Sequence, residues 1–312
     1  MTEAAATGLP IDFMLYDSRM AIATADTLPP AQRYAALSLL FPPDGDAASD
    51  LLRHDFPARL LDCVFAAYEG SQIVAAVFVE PLAGHCANIW GPTTAANVSH
   101  AVASEFAAHV GRYLDELGFR LVQSFVRPHD DERLRTSLGL EPVTSVLTLQ
   151  IALPAGSATW PSGNLHFVDQ SAGVSEAFQH ALIDSFEGSL DCPEWNGRRT
   201  PAEVIEAHRA TAPSLSGWFL AQRLCQTVGL VILAEGGGPQ GLDLAYLAVL
   251  PHCRGQGIGR ELVQFSLRKA AELQAASLSV LVDIRNLPAV SLYRSAGFYE
   301  VSSQSVFLRA IS

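Results

Sequence analysis

Residues 245–260 join an apolar run to a glycine-rich loop. The run occupies 245–250 and ends at Pro251, the glycines fall within 254–259, and an amphipathic segment follows at 260–276. This order predicts a strand, a loop and a helix. Three glycines in five positions let the backbone turn tightly and approach a ligand, and the first N–H groups of a helix have no partner within it. The segment therefore predicts a main-chain site for an anion.

Two well-known phosphate loops do not fit these glycines. A dinucleotide-binding loop needs the spacing G-x-G-x-x-G, whereas the third position counted from Gly255 and Gly257 is Arg260. A Walker loop needs Lys and then Ser or Thr after its last glycine, whereas Gly259 is followed by Arg260 and Glu261. The remaining pattern is Arg-Gly-Gln-Gly-Ile-Gly, directly after an apolar strand that ends in proline.

A second pattern follows the predicted helix. Residues 279–284 form an apolar run rich in β-branched side chains, which predicts a strand buried on both faces. Residues 286–298 then have the order N-x-x-A-x-x-L-Y-x-x-x-G-F. Together with the glycine loop, this order resembles the GNAT superfamily of acetyltransferases. The matched region is 244–298, and the implied fold, an α/β fold with a mixed (α+β) sheet, covers residues 165–312.

The resemblance implies acetyl-CoA as cofactor and direct transfer of its acetyl group to an amine in a ternary complex. In the family, the pantetheine arm lies along the strand before the loop, a strand amide stabilises the oxyanion, and the loop amides hold the pyrophosphate. The departing thiolate has a pKa of roughly 8 to 9, so a hydroxyl that donates a proton assists it, and the resemblance assigns this role to Tyr293. The implied cofactor-binding residues are Ala248, Val249, Leu250, Arg254, Gly255, Gln256, Gly257, Ile258, Gly259, Arg260, Asn286 and Tyr293.

Several of these assignments have a structural alternative. Tyr293 can serve only in packing, as tyrosines at helical spacing commonly do. Asn286 can satisfy hydrogen bonds of the local turn without contacting a cofactor. Arg254 can contact phosphate through its backbone or lie in solvent, and Arg260 can bind phosphate or have no partner. The pattern favours the acid role for Tyr293 and backbone involvement for Arg254, and it leaves Asn286 undecided.

The segment 186–197 lies between two predicted helices, at 175–186 and 201–211. In the family this region forms one wall of the acceptor cleft. An acidic wall suits a primary ammonium, which must lose a proton before it attacks because its reference pKa is about 10. The candidates for relaying that proton are Glu187, Asp191 and Glu194. The alternative is a solvated acidic loop with Trp195 packed against the protein.

Length and composition indicate two globular domains without nucleic-acid or membrane contacts. A chain of 312 residues is long for one core. Its 20 Lys and Arg stand against 32 Asp and Glu, and the resulting net charge of −12 disfavours nucleic acid and favours a cationic acceptor. The five cysteines show no metal-ligand spacing, and the sequence has no secretory signal or membrane-spanning stretch. We therefore expect a cytoplasmic protein without a metal, for which a homodimer stays open.

The two halves of the chain share a pattern. Residues 134–143, LRTSLGLEPV, match residues 292–301, LYRSAGFYEV, and each match follows an amphipathic helix pattern, at 98–118 and at 260–276. The predicted apolar stripes are Val102, Phe106, Val110, Tyr113, Leu114 and Leu117 in the first helix, and Leu262, Val263, Ser266, Leu267, Ala270 and Leu273 in the second. The repeat is too long for a solenoid and predicts two copies of one domain.

The copies differ where the chemistry of the loop would occur. Residues 93–99 stand in place of the glycine loop, so side chains would block a pyrophosphate, and Arg135 stands where Tyr293 stands in the other copy. We therefore interpret the first copy as degenerate. The predicted division is a degenerate GNAT-like domain at 1–151, a linker at 152–164 and an acetyltransferase domain at 165–312.

Three functions from different classes remain open at the level of sequence. The first is an N-acetyltransferase acting on a primary amine of a small molecule, with a peptide amine as the second choice. The second is a non-catalytic acyl-CoA sensor, and the third is an interaction scaffold made of the paired domains. Binding of acetyl-CoA separates the scaffold from the others, and release of free thiol in the presence of amines separates the enzyme from the sensor.

Overall fold

The computed structural model describes residues 13–14, 20–42, 52–128, 130, 132–154, 163–236 and 240–310. The strands of the first half are β1 (Phe13–Met14), β2 (Met20–Thr24), β3 (Val64–Glu69), β4 (Gln72–Leu82), β5 (Cys86–Thr94) and β6 (Leu121–Val126). Its helices are α1 (Pro30–Leu40), α2 (His100–Glu116) and α3 (Glu132–Ser137). The later strands are β7 (Glu141–Ala152), β8 (His166–Asp169), β9 (Trp218–Arg223), β10 (Gln226–Glu235), β11 (Gly241–Val249), β12 (Ser277–Asp283) and β13 (Tyr299–Ala310). The later helices are α4 (Glu176–Asp184), α5 (Pro201–Thr211), α6 (Ile258–Glu272) and α7 (Leu287–Ser295).

The chain forms two compact units, each discontinuous in sequence. The first comprises Met1–Phe125, Asp130–Glu141 and Phe307–Ser312, and the second comprises Val126–His129 and Pro142–Val306. The second unit therefore includes most of β7, which lies between β12 and β13. The division predicted at residue 151 follows the sequence repeat, whereas the compact units follow the pairing of β7. Most of the predicted linker lies outside the described residues.

The first unit is built on the strand order β1-β2-β3-β4-β5-β6. Neighbours are antiparallel from β1 to β5, and β5 and β6 are parallel over Cys86–Asn88. Helix α2 begins at Ser99, whose side chain accepts a hydrogen bond from the N–H of Val102, and it buries Phe106 and Leu114 completely. The predicted amphipathic face of this helix is therefore confirmed at its centre.

The second unit repeats this arrangement. Strands β8 to β12 are neighbours in sequence order, antiparallel from β8 to β11, and β11 and β12 are parallel over Gly241–Asp243. This is the pairing pattern of β2 to β6, which confirms the mixed sheet and the two copies that the sequence repeat predicts. Residues of β10 alternate between faces, so that Leu230 packs with α4 and α5 while Val231 packs with α6 and α7.

Helix boundaries agree with the predictions to within a few residues. The helix expected at 201–211 is α5, and the one expected at 175–186 is α4. The amphipathic helices end earlier than predicted, because Leu117 and Leu273 are the C-caps of α2 and α6 and are 43% and 64% exposed. Their place in the predicted apolar stripes is wrong, since both follow the last packed turn. Among the described residues, no helix combines the length and apolarity that crossing a membrane requires.

Candidate active site

Strands β11 and β12 separate after a short parallel ladder. They pair only where Gly241–Asp243 meets Ser277–Ser279, and a β-bulge opposite β10 makes Ala245 an extra residue in β11. The gap opens into a cavity of about 630 Å³ lined by β11, β12, α7, the glycine loop, Ser185 and residues 188–191. The prediction that β12 is buried on both faces is wrong at Leu281, which lines this cavity and is 47% exposed.

Beyond Asp243, the edge of β11 that faces the gap has no ladder with β12 in the described part of the chain, although the carbonyl of Val249 accepts a hydrogen bond from Arg254. The N–H of Leu250 donates to the carbonyl of Val228 at 3.0 Å, and main-chain groups alternate in direction along an antiparallel strand. The main chain of Ala248 and Leu250 is therefore directed at β10, and that of Leu247 and Val249 at the gap. Of the three strand residues predicted to pair with the pantetheine arm, only Val249 presents its main chain there.

The loop after β11 has the geometry of an anion site. Gly255 and Gly257 have φ values of 75° and 81°, a backbone conformation that side chains disfavour, and Gly257 is the N-cap of α6 without a side-chain hydrogen bond. Within the described residues, the backbone N–H groups of residues 255–259 have no hydrogen-bond partner. These amides stand at the N-terminus of a 15-residue helix, where the dipole also favours negative charge. The arrangement fits the predicted pyrophosphate loop.

Arg254 connects this loop to the acceptor-side segment. Its own N–H donates to Pro251, and its guanidinium donates to the carbonyls of Val249 at 3.2 Å, Gly188 at 3.1 Å and Ser185 at 2.9 Å. In this structure Arg254 therefore binds protein carbonyl groups through both its backbone and its side chain. The backbone N–H of Arg254, which was predicted to contact phosphate, is therefore already used within the protein.

The remaining loop residues differ in what they offer a ligand. Gln256 has a free amide, but its side chain is held by Arg223 at 2.7 Å and by the carbonyl of His252 at 3.0 Å. Arg260 is exposed and lines the cavity, and its guanidinium has no partner within the described part of the chain. Ile258 is buried under the loop and Gly259 lies close to Leu292. Arg260 is thus a cation next to the glycine loop that has no partner in the described ranges.

Tyr293 and Asn286 both line the cavity from the α7 side. Tyr293 is buried, and its hydroxyl has no hydrogen-bond partner among the described residues. Burial raises the pKa of Tyr293 above its usual value, and the nearby carboxylate of Asp191 acts in the same direction, so the phenol stays protonated. Asn286 is the N-cap of α7, and its side-chain oxygen accepts a hydrogen bond from the N–H of Ala289 at 3.3 Å.

The three candidate bases lie at different places relative to the cavity. Asp191 lines the cavity, whereas Glu187 and Glu194 are absent from its lining. Glu194 forms a bidentate pair with Arg285, at 2.7 and 2.9 Å, which lowers its pKa. Burial raises the pKa of Asp191, partly opposed by a hydrogen bond from the backbone of Asp283. The geometry therefore supports Asp191 and gives no support to Glu187 or Glu194.

A buried carboxylate that sequence reasoning missed organises this side of the site. Asp283 is fully buried and accepts hydrogen bonds from Thr144 at 2.7 Å, from the backbone of Cys192 at 3.1 Å and from Arg285 at 2.7 Å. Burial raises its pKa, but the bonds from Arg285 and the other donors outweigh this and lower it to about 2. An Asp at the end of an apolar strand is a signal that the sequence did contain.

Tyr246 is a second cavity residue without a predicted role. Its hydroxyl lies 2.8 Å from that of Ser185, and its ring packs against Phe186 and His208. Burial raises the pKa of Tyr246 to about 12. Because Ser185 also accepts a hydrogen bond from Arg254, Tyr246 helps to fix the start of the acceptor-side segment. Tyr246 lies in the apolar strand before the loop, and its position in that pattern is typical of a core residue.

In the described part of the first unit, side chains and a capped helix stand where the second unit has its open strand edge and free loop amides. The N-terminus of α2 is capped by Ser99, and the amides of Ala95 and Val98 are used in backbone hydrogen bonds. Arg135 is buried, and its Nε lies 3.4 Å from the hydroxyl of Ser124, which itself donates to the carbonyl of Ile89 at 2.9 Å. These side chains occupy the edge of β5 that corresponds to the open edge of β11. The geometry supports a degenerate first copy.

Comparisons with known proteins agree with this site. Residues 177–298 match the sequence model of the Acetyltransferase (GNAT) family. The chain is 28% identical over 182 residues to a mycothiol acetyltransferase of Propionibacterium freudenreichii subsp. shermanii, and the alignment covers 54% of this chain and 55% of that protein. The chain thus spans about half the length of the curated relative that it matches.

Solved structures extend the likeness to the first copy. A GCN5-related N-acetyltransferase from Sphaerobacter thermophilus superposes with a TM-score of 0.68 at 18% identity over 96% of this chain and 97% of that one. A tandem GNAT protein from the clavulanic acid biosynthesis pathway superposes with a TM-score of 0.54 at 12% identity over 94% of this chain and 98% of that one. At these identities the likeness concerns the fold alone, and it covers both halves. Residues 177–298 therefore resemble the GNAT family in sequence, and both halves of the chain have the fold of GNAT proteins.

Proposed function

We propose that this protein is an acyltransferase that moves an acetyl group from acetyl-CoA to a primary amine of a small molecule, by direct attack in a ternary complex. The observation that carries the proposal is the continuity of the second unit's cavity. It joins a loop of five free amides, an open strand edge and a buried, protonated tyrosine. Each of these matches one part of a CoA thioester: diphosphate, pantetheine amides and sulfur.

The cofactor end of the cavity fits the diphosphate. Free amides at the N-terminus of α6 and the unpartnered guanidinium of Arg260 supply donors and positive charge without a further ligand. Gly255 and Gly257 have open space where a Cβ would stand, so the backbone can be approached closely. The main chain of Leu247 and the N–H of Val249 would receive the pantetheine arm, while the carbonyl of Val249 is bound by Arg254. An N–H of the same edge would stabilise the oxyanion.

At the reacting end, two side chains hold the protons. Tyr293 would donate its phenolic proton to the departing thiolate, a role that needs the neutral phenol that burial maintains. Asp191 would take the proton that an ammonium must lose before attack, and its raised pKa makes it a better proton acceptor than an ordinary Asp. Both residues line one cavity, so neither proton needs to cross the protein.

Two measurements test the proposal and separate it from an acyl-CoA sensor. Calorimetry with acetyl-CoA should show one site per chain, and colorimetric detection of free thiol should show amine-dependent release. Binding without release for any amine would favour the sensor, and absence of binding would leave only the scaffold. Hydrolysis without amine is the background rate that must be subtracted.

A further inference from the structure

The acceptor end of the cavity combines one carboxylate with apolar side chains. Asp191 lines it together with Leu190 and Leu281, which are 49% and 47% exposed. A large apolar side chain that stays exposed in a cavity wall offers contact area to an apolar ligand. Tyr246 and Tyr293 add aromatic rings to the same end.

The cavity has no spare cation at this end. Among the described residues that line it, the basic ones are Arg254 and Arg260. The guanidinium of Arg254 already donates to three carbonyls. Arg260 follows the free amides of the glycine loop, where the cofactor diphosphate would require it. A carboxylate or phosphate on the acceptor would therefore meet Asp191 without a compensating charge.

The carboxylate of Asp191 is held in a defined orientation. Its Oδ1 accepts a hydrogen bond from the backbone of Asp283 at 2.8 Å, and its own N–H donates to the hydroxyl of Ser189 at 3.2 Å. Its Oδ2 has no hydrogen-bond partner within the described part of the chain. One oxygen is thus fixed by the protein, and the other is available to a ligand in the cavity.

We propose that the acceptor is an apolar primary monoamine without an anionic group, whose ammonium pairs with Asp191 and whose carbon skeleton packs against Leu190 and Leu281. This inference rests on the proposed acetyltransferase function and narrows its substrate class. The net charge of −12 adds attraction for a cation at longer range.

The transfer step balances with groups that line the cavity. One ammonium proton passes to Asp191, and the freed nitrogen lone pair forms the bond to the acyl carbon. The C–S bond breaks with its electron pair on sulfur, which takes the proton of Tyr293. The second nitrogen proton restores the phenol, and the proton on Asp191 passes to solvent. The products are the N-acetyl amine and the free thiol.

Three amines of matched structure test the inference in thiol-release assays with the full chain. Phenethylamine and phenylalanine differ by one carboxylate, and ethanolamine lacks the apolar ring. We expect kcat/KM for phenethylamine to exceed that for phenylalanine by about 100-fold, since like-charge juxtaposition is strongly unfavourable. Turnover of ethanolamine should be about tenfold or more below that of phenethylamine. Preference for phenylalanine or ethanolamine would overturn the acceptor class but leave the acetyltransferase proposal standing, whereas no release with any amine would remove both.

A charge-neutral variant tests whether Asp191 causes the preference for phenethylamine over phenylalanine. Asp191→Asn keeps an oxygen for the N–H of Asp283 and should narrow the phenethylamine to phenylalanine ratio by about tenfold or more. Asp184→Asn is the matched control, because this exposed carboxylate ends α4 outside the cavity lining. Acetyl-CoA affinity, measured by calorimetry, should be the same in both variants. An unchanged ratio in Asp191→Asn with intact cofactor binding would refute the recognition role.

Discussion

Asp191 Oδ1 accepts a hydrogen bond of 2.8 Å from the backbone N–H of Asp283, so two acidic residues far apart in sequence meet at one wall of the cavity. The two carboxylates have opposite titration behaviour. Burial raises the pKa of Asp191, while hydrogen bonds from Arg285 and others outweigh burial and lower the pKa of Asp283 to about 2. Asp283 is therefore ionised at neutral pH, and Asp191 is the carboxylate for which we propose proton exchange.

The pH dependence of turnover should contain the titration of Asp191. Its protonated form can neither pair with an ammonium nor accept a proton, so activity should fall as pH drops through a pKa above the usual Asp value. The amine itself also loses reactivity in acid, so the profile must be compared with that of Asp191→Asn for the same amine. The wild type should show an acid limb that the variant lacks. Superimposable profiles would exclude Asp191 from proton transfer.

Asp283→Asn should destabilise the second unit in a pH-dependent manner. Because the folded-state pKa is lowered from 3.8 to about 2, the ionised carboxylate contributes stability above pH 4, and this contribution is lost as pH falls from about 4 to about 2. We expect the variant to lose about 2 kcal/mol of unfolding free energy at neutral pH. Urea titrations at neutral and acidic pH measure the difference, which should shrink in acid. A difference independent of pH would indicate a packing effect only.

Tyr293→Phe should lower turnover by about 100-fold or more. The substitution removes the hydroxyl and keeps the ring contact with Phe298, so the affinity for acetyl-CoA should change little. Tyr299→Phe is the control, since that exposed hydroxyl contacts Gln150 outside the cavity. Steady-state thiol release and calorimetry measure the two effects. If Tyr293→Phe turns over at the wild-type rate, the phenol is not the acid.

Gly257→Val should abolish the binding of acetyl-CoA while the fold persists. A Cβ at this position meets no atom within 4 Å, so the expected cost is the strain of a positive φ, about 1–3 kcal/mol. Relief of that strain would turn the loop amides away from the diphosphate. Each charged hydrogen bond lost in this way should lower the affinity for acetyl-CoA by about tenfold or more. Gly70 also has a positive φ, 62° against 81° at Gly257, and open space, and it is far from the loop in sequence. Gly70→Val should therefore show a similar loss of thermal stability with unchanged affinity. Equal affinity in both variants would contradict the loop assignment.

Arg254→Lys should raise the acceptor KM about tenfold. A lysine cannot reach the carbonyls of Ser185, Gly188 and Val249 together, because its ammonium lacks the planar fork of the guanidinium. Residues 185–188, which precede Asp191, would then lose the hydrogen bonds that hold them in place. Calorimetry should show a smaller change in acetyl-CoA affinity than the change in acceptor KM. The reverse order of effects would indicate that Arg254 acts on the diphosphate, as the sequence pattern suggested.

The strand, loop and helix of the proposed cofactor side were predictable because they are encoded locally. A strand, a glycine loop and a helix start are consecutive in sequence, and glycine is the residue that permits the positive φ of Gly255 and Gly257. The place of Tyr293 near this loop followed from one further pattern. The same locality explains the failures within the strand, since the main-chain direction of Ala248 and Leu250 depends on the register with β10.

The acceptor side was not predictable in the same way. Nothing in the sequence favoured one of Glu187, Asp191 and Glu194 over the others as the base. Their different environments depend on residues distant in the chain, because Arg285 forms an ion pair with Glu194 and the backbone N–H of Asp283 orients Asp191. The partners of Arg254 were not foreseen for the same reason, because they include the carbonyls of Ser185 and Gly188. Hydrogen bonds between remote segments leave no periodic signal in a sequence.

The amino-acid sequence by itself determined the resemblance to GNAT proteins, the duplication and the position of the glycine loop, because each depends on residue types at short, regular spacing. Tertiary structure decided which carboxylate faces the cavity, which strand amides are free and where β7 packs. These depend on strand register and on burial, which are properties of the assembled sheet. Local backbone preference therefore accounts for the loop, and long-range pairing accounts for the chemistry opposite it.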